Sequence, residues 1–264
     1  MAWSALNPQV DDWRGRSVWL VGASSGIGHA CAQALIAAGA RVAVSARQAP
    51  LLEQLCAGHD ALPVPCDVTD IESVRQAAER VRAHQGLDWV VYCAGHYKPI
   101  RPLRGFDLPE IMRHQSVNYH GALHVIDAVL PHLVEQGRGH LSMVASVAGY
   151  RGLPMSLAYG PTKAAMQHLA EILYMELRPA GIGVSVVNPG FVATPLTAQN
   201  RFHMPALIQP DEAARAMLKG WARGEFEIHF PKRFSRFLKL LRLLPERWYF
   251  SWVWRATQGN LNKP

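Results

Sequence analysis

Short apolar runs recur along the chain, and between them apolar residues fall three and four positions apart. The runs at residues 17–21, 41–45, 61–65, 89–93, 140–145, 184–188 and 226–230 read as strands. Segments 26–38, 70–85, 108–136, 155–177 and 211–223 carry helical spacing, with Asp70 placed as an N-cap and Gly86 as a stop. Strands that are apolar throughout and alternate with helices belong to βαβ units, whose parallel sheet is covered on both faces. The expected fold class is therefore α/β, a single doubly wound domain on a seven-stranded parallel sheet.

At 264 residues and 49% hydrophobic composition, the chain is sized for one core. That core is expected within residues 1–231, with 232–264 a basic amphipathic extension of the same domain. No run of 18 or more apolar residues suggests a membrane span, and the first 16 residues lack a continuous apolar stretch of the signal-peptide kind. Cys31, Cys56, Cys66 and Cys93 are scattered, which indicates neither a disulfide framework nor a zinc site and suits the cytoplasm. His120 and His124 stand four apart, but no carboxylate is placed to complete a ligand set, so no metal is expected.

The net charge of +7 is local. Residues 1–230 hold 19 basic and 19 acidic groups, whereas 231–264 hold 8 basic groups against Glu246. A neutral body without a basic stripe argues against nucleic acid as a partner. On a helical projection of the tail, Phe234, Phe237, Leu238, Leu241 and Leu244 gather within about 120°, with Arg233, Arg236, Lys239 and Arg242 around the rest. An aromatic cluster follows, from Trp248 to Trp254. Two readings stand open: residues 232–255 lie on an anionic membrane, or the same apolar face packs on the body, lids the substrate pocket or forms a subunit interface.

The chemistry is concentrated in three places. The first strand runs into Gly22-Ala23-Ser24-Ser25-Gly26-Ile27-Gly28 and then a helix, the context in which glycines let backbone N–H groups and a helix N-terminus approach a pyrophosphate. After the second strand comes Arg47 where a site for NAD ordinarily has an acid, so a 2′-phosphate and hence NADP(H) is favoured. Tyr159 and Lys163 lie four apart on one helical face, so the ammonium can influence the phenol, and Ser146 precedes them by 13 residues. Lowering a phenol from about 10 to about 7 needs roughly 4 kcal/mol of preferential stabilisation of the phenolate. Lys163 and a positive nicotinamide are the expected sources. Tyr159 would then be the general acid/base at a carbonyl or alcohol oxygen held by Ser146.

In the order and spacing of these residues, about 14–231 of the chain resembles the short-chain dehydrogenase/reductase family. The resemblance implies a Rossmann-type fold and a catalytic tetrad of Asn118, Ser146, Tyr159 and Lys163. It also implies adenine contact by Asp67, with Val68 beside it, and nicotinamide contact by Val192 and Thr194 within Pro189-Gly190-Phe191-Val192-Ala193-Thr194. Lys163 would bind the ribose hydroxyls and relay protons through water held near Asn118. Gly22, Ser24, Ser25, Gly26, Ile27, Gly28, Arg47, Ala94 and Gly95 complete the expected cofactor contacts. The chain departs from the family at Val21, usually Thr, and at Tyr92-Cys93-Ala94-Gly95, usually Asn-Asn-Ala-Gly.

The expected activity is NADP(H)-dependent interconversion of a ketone and a secondary alcohol. The apolar loop with Leu196, Phe202, Met204 and Leu207 points to a hydrophobic, lipid-like small molecule as substrate. The resemblance also implies a homodimer or homotetramer built on the helices around 108–136 and 155–177. The alternative is a non-catalytic dinucleotide-binding membrane or interaction protein.

Overall fold

A computed structural model describes residues 5–200 and 202–261 of the chain. The strands are β1 (Ser17–Val21), β2 (Arg41–Ser45), β3 (Ala61–Pro63), β4 (Trp89–Tyr92), β5 (Gly139–Val144), β6 (Ile182–Pro189) and β7 (Glu227–Phe230). They form one parallel sheet in the order β3-β2-β1-β4-β5-β6-β7. The direction of winding reverses between β1 and β4. At such a switch point the loops leaving the two strands diverge and open a crevice at the carboxyl edge of the sheet.

The helices are α1 (Gly26–Ala37), α2 (Ala49–Cys56), α3 (Ile71–Gln85), α4 (Leu108–Gln115), α5 (Gly121–Gln136), α6 (Tyr159–Leu177), α7 (Pro210–Ala222), α8 (Lys232–Arg242) and α9 (Glu246–Leu261). Alternation along β1 shows how the layers form. Val18 and Leu20 face a core shared with α1, α2 and α7, while Trp19 and Val21 face one shared with α3, α5 and α6. Asp70 caps α3 by accepting from Glu72 N at 2.9 Å, and Gly86 ends it at φ +76°.

Helix α2 was not expected, the helix expected over 155–177 begins only at Tyr159, and two further elements differ. β3 ends at Pro63, because Pro63 and Pro65 have no N–H to give. Val64 and Cys66 still donate to Val44 and Ala46, which carries Asp67 to the rim of the crevice. The single helix expected over 108–136 is interrupted by a wide turn at Ser116–His120. There the Tyr92 hydroxyl donates to the Val117 carbonyl, and Gly121 packs so close to Tyr92 and Val68 that a Cβ would collide with both. Such wide turns shift a helical face by one position and commonly accompany sites.

The tail packs on the body. Leu241, Tyr249 and Val253 are buried against Leu153, Leu238 and Leu244, so the apolar stripe of α8 faces inward except for Phe237. Arg151 holds the end of α8, donating to the carbonyls of Leu241 (3.4 Å), Arg242 (3.2 Å) and Leu244 (2.7 Å), and its guanidinium lies 4.0 Å over the Tyr249 ring. Lys239 bonds Glu227 at 2.5 Å, and the same carboxylate accepts from Tyr150 (2.6 Å) and Asn188 (2.9 Å). Burial would raise the Glu227 pKa, but these three donors hold it below its ordinary value. Among the described residues, no helix is long and apolar enough to cross a membrane.

Candidate active site

The crevice at the carboxyl edge is a cleft of about 490 Å³. The turn from β1 into α1 forms one wall, and its glycines are there for space. Gly22 has φ +97° and abuts the Ala94 backbone, Gly26 has φ +59° and touches Thr194, and Gly28 abuts the Gly22 carbonyl. Ser25, at the N-cap of α1, makes no side-chain capping bond, and α1 has no acid in its first turn. The orphan N–H groups of that helix end therefore lie in the wall together with the glycines, a cradle that fits a dinucleotide phosphate.

The cleft brings together the residues named from the sequence. Gly22, Ser24, Ser25, Gly26, Ile27, Gly28, Arg47, Asp67, Val68, Ala94 and Gly95 line it together with Ser146, Tyr159, Lys163, Pro189, Gly190, Val192 and Thr194. Arg47 is exposed at the end of β2. Asp67 is oriented by Thr69, whose N–H and hydroxyl donate to it at 2.9 and 2.8 Å. Burial raises the Asp67 carboxyl, but these bonds and the nearby Arg47 charge bring it below its ordinary value.

Tyr159 opens α6 half-buried at the cleft, and Lys163, one turn further on, is buried. Burial pushes the Tyr159 phenol well up, which contact with Ser146 offsets only in part. It brings the Lys163 ammonium down to about 8. The protein's own groups thus hold the phenol protonated, the opposite direction from the tuning expected of Lys163. Lys163 Nζ lies 5.5 Å from the Tyr159 ring centroid and donates to the Val144 carbonyl at 2.8 Å. Ser146 donates to the Pro189 carbonyl at 3.4 Å and accepts from Ala148 N at 3.1 Å.

Asn118 stands behind the cleft. Its Oδ1 accepts from His96 N at 2.6 Å, and its Nδ2 donates to the His96 carbonyl (3.0 Å) and Thr162 Oγ1 (3.0 Å). It pins the chain after Gly95 to α6. A Cβ placed at Gly95 would lie 3.8 Å from Asn118 Oδ1 and 3.9 Å from Lys163 Nζ, so Gly95 separates the two.

Three participants escape a reading of the sequence. Gln167 donates to the Ser146 carbonyl at 2.8 Å and to Asn188 Oδ1 at 3.0 Å. Its signal was available, since Tyr159, Lys163 and Gln167 are spaced by four along α6. Tyr97 packs edge-on against Tyr159 with centroids 5.1 Å apart, and burial raises its phenol to about 12. Arg113, on α4, adds a second guanidinium to the cleft. The departures find uses as well: Tyr92 pins the wide turn at Ser116–His120, and Cys93 is half-buried, its thiol pushed up to about 11 by desolvation.

Among the described residues, His96, Glu110 and His114 offer ligand atoms within 4.8 Å of one another. Both ring nitrogens of His114 already serve the backbone, Nδ1 donating to the Glu110 carbonyl at 2.8 Å and Nε2 accepting from Lys98 N at 3.0 Å. With His96 bonded to Glu110 at 2.5 Å, the trio ties the loop after Gly95 to α4.

The family model described as short chain dehydrogenase matches residues 16–204. The chain belongs to that family. An uncharacterized oxidoreductase of Myxococcus xanthus is 37% identical over 246 residues, 87% of this chain and 93% of the relative. A short-chain dehydrogenase from Streptomyces avermitilis has a TM-score of 0.77 at 25% identity, covering 94% of this chain and all of that one. A Brucella melitensis protein described as ribose-5-phosphate isomerase has a TM-score of 0.74 at 28% identity, with 83% and 92% covered. Short-chain dehydrogenases bind a nicotinamide dinucleotide, and the glycine cradle of this chain fits one.

Proposed function

We propose that this short-chain dehydrogenase is an NADP(H)-dependent carbonyl reductase or secondary-alcohol dehydrogenase for a hydrophobic substrate. The observation that carries the reading is the convergence of Ser146, Tyr159 and Lys163 in the cleft that the glycine turn walls. Reducing a ketone puts a hydride on carbon and a proton on oxygen, and the nicotinamide, when bound, supplies the hydride. Ser146 hydrogen-bonds the substrate oxygen and fixes its position. Tyr159 gives its proton to that oxygen, and burial keeps the phenol in the protonated form this step needs. In the oxidative direction the phenolate form is the base that takes the alcohol proton, and positive charge at Lys163 favours that form. Gln167, holding the Ser146 carbonyl, positions the hydroxyl-bearing segment.

NADP(H) over NAD(H) is supported by Arg47 in the cleft wall, in a place where an acid would repel a 2′-phosphate. The tail supports a peripheral contact with an anionic bilayer. While its inner face holds the body, Leu240, Leu243, Trp248, Phe250, Trp252 and Trp254 are exposed among basic residues. Exposed Val134, Ile172 and Met175 on α5 and α6 support a homodimer or homotetramer built on those helices. The free cysteines, three of them buried, suit the cytoplasm.

The test is titration with NADPH and NADH side by side, with turnover of long-chain and cyclic ketones. Arg47→Asp is expected to weaken NADPH binding about tenfold or more. Tyr159→Phe is expected to keep NADPH binding while turnover falls about a hundred- to ten-thousandfold. Undiminished turnover in Tyr159→Phe would overturn the mechanism.

A further inference from the structure

Arg113 is an exposed residue of α4 that also lines the cleft. Arg113, Val117 and Gly121 are spaced by four, which gathers them on one face of the run from α4 through the wide turn to α5. Contacts fix where that face is anchored. A Cβ at Gly121 would collide with the Tyr92 hydroxyl and with Val68, and the Val117 carbonyl accepts from the same hydroxyl. Val117 is itself part of the cleft wall. The face therefore starts on Tyr92 and Val68 and ends, two turns away, in a guanidinium of the cleft.

The acids of α4 are spent elsewhere. Glu110 stands three residues before Arg113, a spacing at which ion pairs form on a helix. Its carboxylate instead bonds His96 Nε2 at 2.5 Å and lies 4.0 Å from Lys98 Nζ. Asp107 caps α4 by accepting from Glu110 N at 3.1 Å and has Lys98 Nζ at 3.4 Å. Among the described residues, Arg113 makes no hydrogen bond or ion pair. Arg47 differs, because Asp67 draws on its charge. An unpaired guanidinium in the same concave wall as a glycine cradle and an uncapped helix end is placed to meet an anion.

We propose that Arg113 is a second cationic ligand of the bound dinucleotide and pairs with one of its phosphate groups. A planar guanidinium can give two N–H groups to a single phosphate, so Arg47 after β2 and Arg113 on α4 close on the cofactor from two separate elements. The assignment rests on the reading of this cleft as the cofactor site.

The test is displacement of NADPH from the full chain, followed by nicotinamide fluorescence, with 5′-ADP, 2′,5′-ADP and adenosine as competitors. Arg113 is exposed and Gln is a good helix former, so Arg113→Gln is expected to fold as the unmodified protein does. The variant should bind NADPH about tenfold or more weakly, with a similar loss for at least one ADP isomer and less than about a twofold loss for adenosine. The difference between the two proteins should narrow as salt rises from about 0.05 to about 0.5 M. A loss confined to 2′,5′-ADP assigns Arg113 to the 2′-phosphate. One shared by both isomers, or confined to 5′-ADP, assigns it to the pyrophosphate, and each of these results upholds the proposal. Unchanged NADPH affinity in Arg113→Gln, a loss that adenosine shares in full, or a loss indifferent to salt overturns it. Equal binding of NADPH and NADH by the unmodified protein would overturn the NADP(H) reading, while the 5′-ADP comparison still decides Arg113. If no nucleotide binds, the cofactor reading falls and takes this assignment with it.

Discussion

Lys163 lies between the Val144 carbonyl and the Tyr159 ring, 3% exposed, and titrates near 8 where a free lysine titrates near 10.5. Between those values the unfolded chain binds a proton that the folded protein does not. The contribution of Lys163 to stability therefore rises with pH across that window, and below about 8 its buried charge weighs against folding in full. In Lys163→Met this rise should vanish. Melting temperatures of both proteins from about pH 7.5 to about 10.5 check it, and parallel curves would place the lysine in a solvated setting instead. The spacing of Tyr159 and Lys163 made this pair legible in the sequence. The partners that set its surroundings were not: Val144 lies on β5, and Asn118 spends its amide on His96 and Thr162, contacts that only the assembled fold creates.

The elements owe their legibility to burial. Strands apolar throughout, and helices with one long apolar face, announced the sheet and most of its cover. Helix α2 did not, because its few apolar positions, buried at Leu52, Leu55 and Cys56, fill only two turns. The break between α4 and α5 was equally silent, since its causes, Tyr92 and Val68, come from other parts of the fold. The glycine turn shows how tightly an element can be specified. A methyl group at Gly22 meets the Ala94 backbone and also sits at φ +97°. Gly22→Ala should cost about 1–3 kcal/mol and weaken NADPH binding as the turn shifts. Gly152→Ala, with nothing within 4 Å of the added carbon, is the neutral comparison. Thermal unfolding with an NADPH titration reads both, and an unaffected Gly22→Ala would show that the turn has slack.

At the scale of the molecule, the tail was read as amphipathic from its sequence, but which face turned outward depended on contacts with residues 150–153. The stripe faces in, and a second set of apolar groups faces out. Leu240 and Trp254 are 65% and 57% exposed, so Leu240→Asp with Trp254→Asp should leave the melting temperature unchanged. Sedimentation with phosphatidylglycerol vesicles should be lost in that variant and weakened by salt in the unmodified protein. Sedimentation that persists would place the membrane contact elsewhere or exclude it. Glu227 gives the tail a further meaning. Lys239 is the cation bonded to a carboxylate that also grips Tyr150 and Asn188, just ahead of Pro189. The extension is therefore no detachable accessory: a chain ended at Pro231 keeps the acid and loses its counter-ion. Grafting another relative's tail onto this body would succeed only where the graft brings its own answer to Glu227.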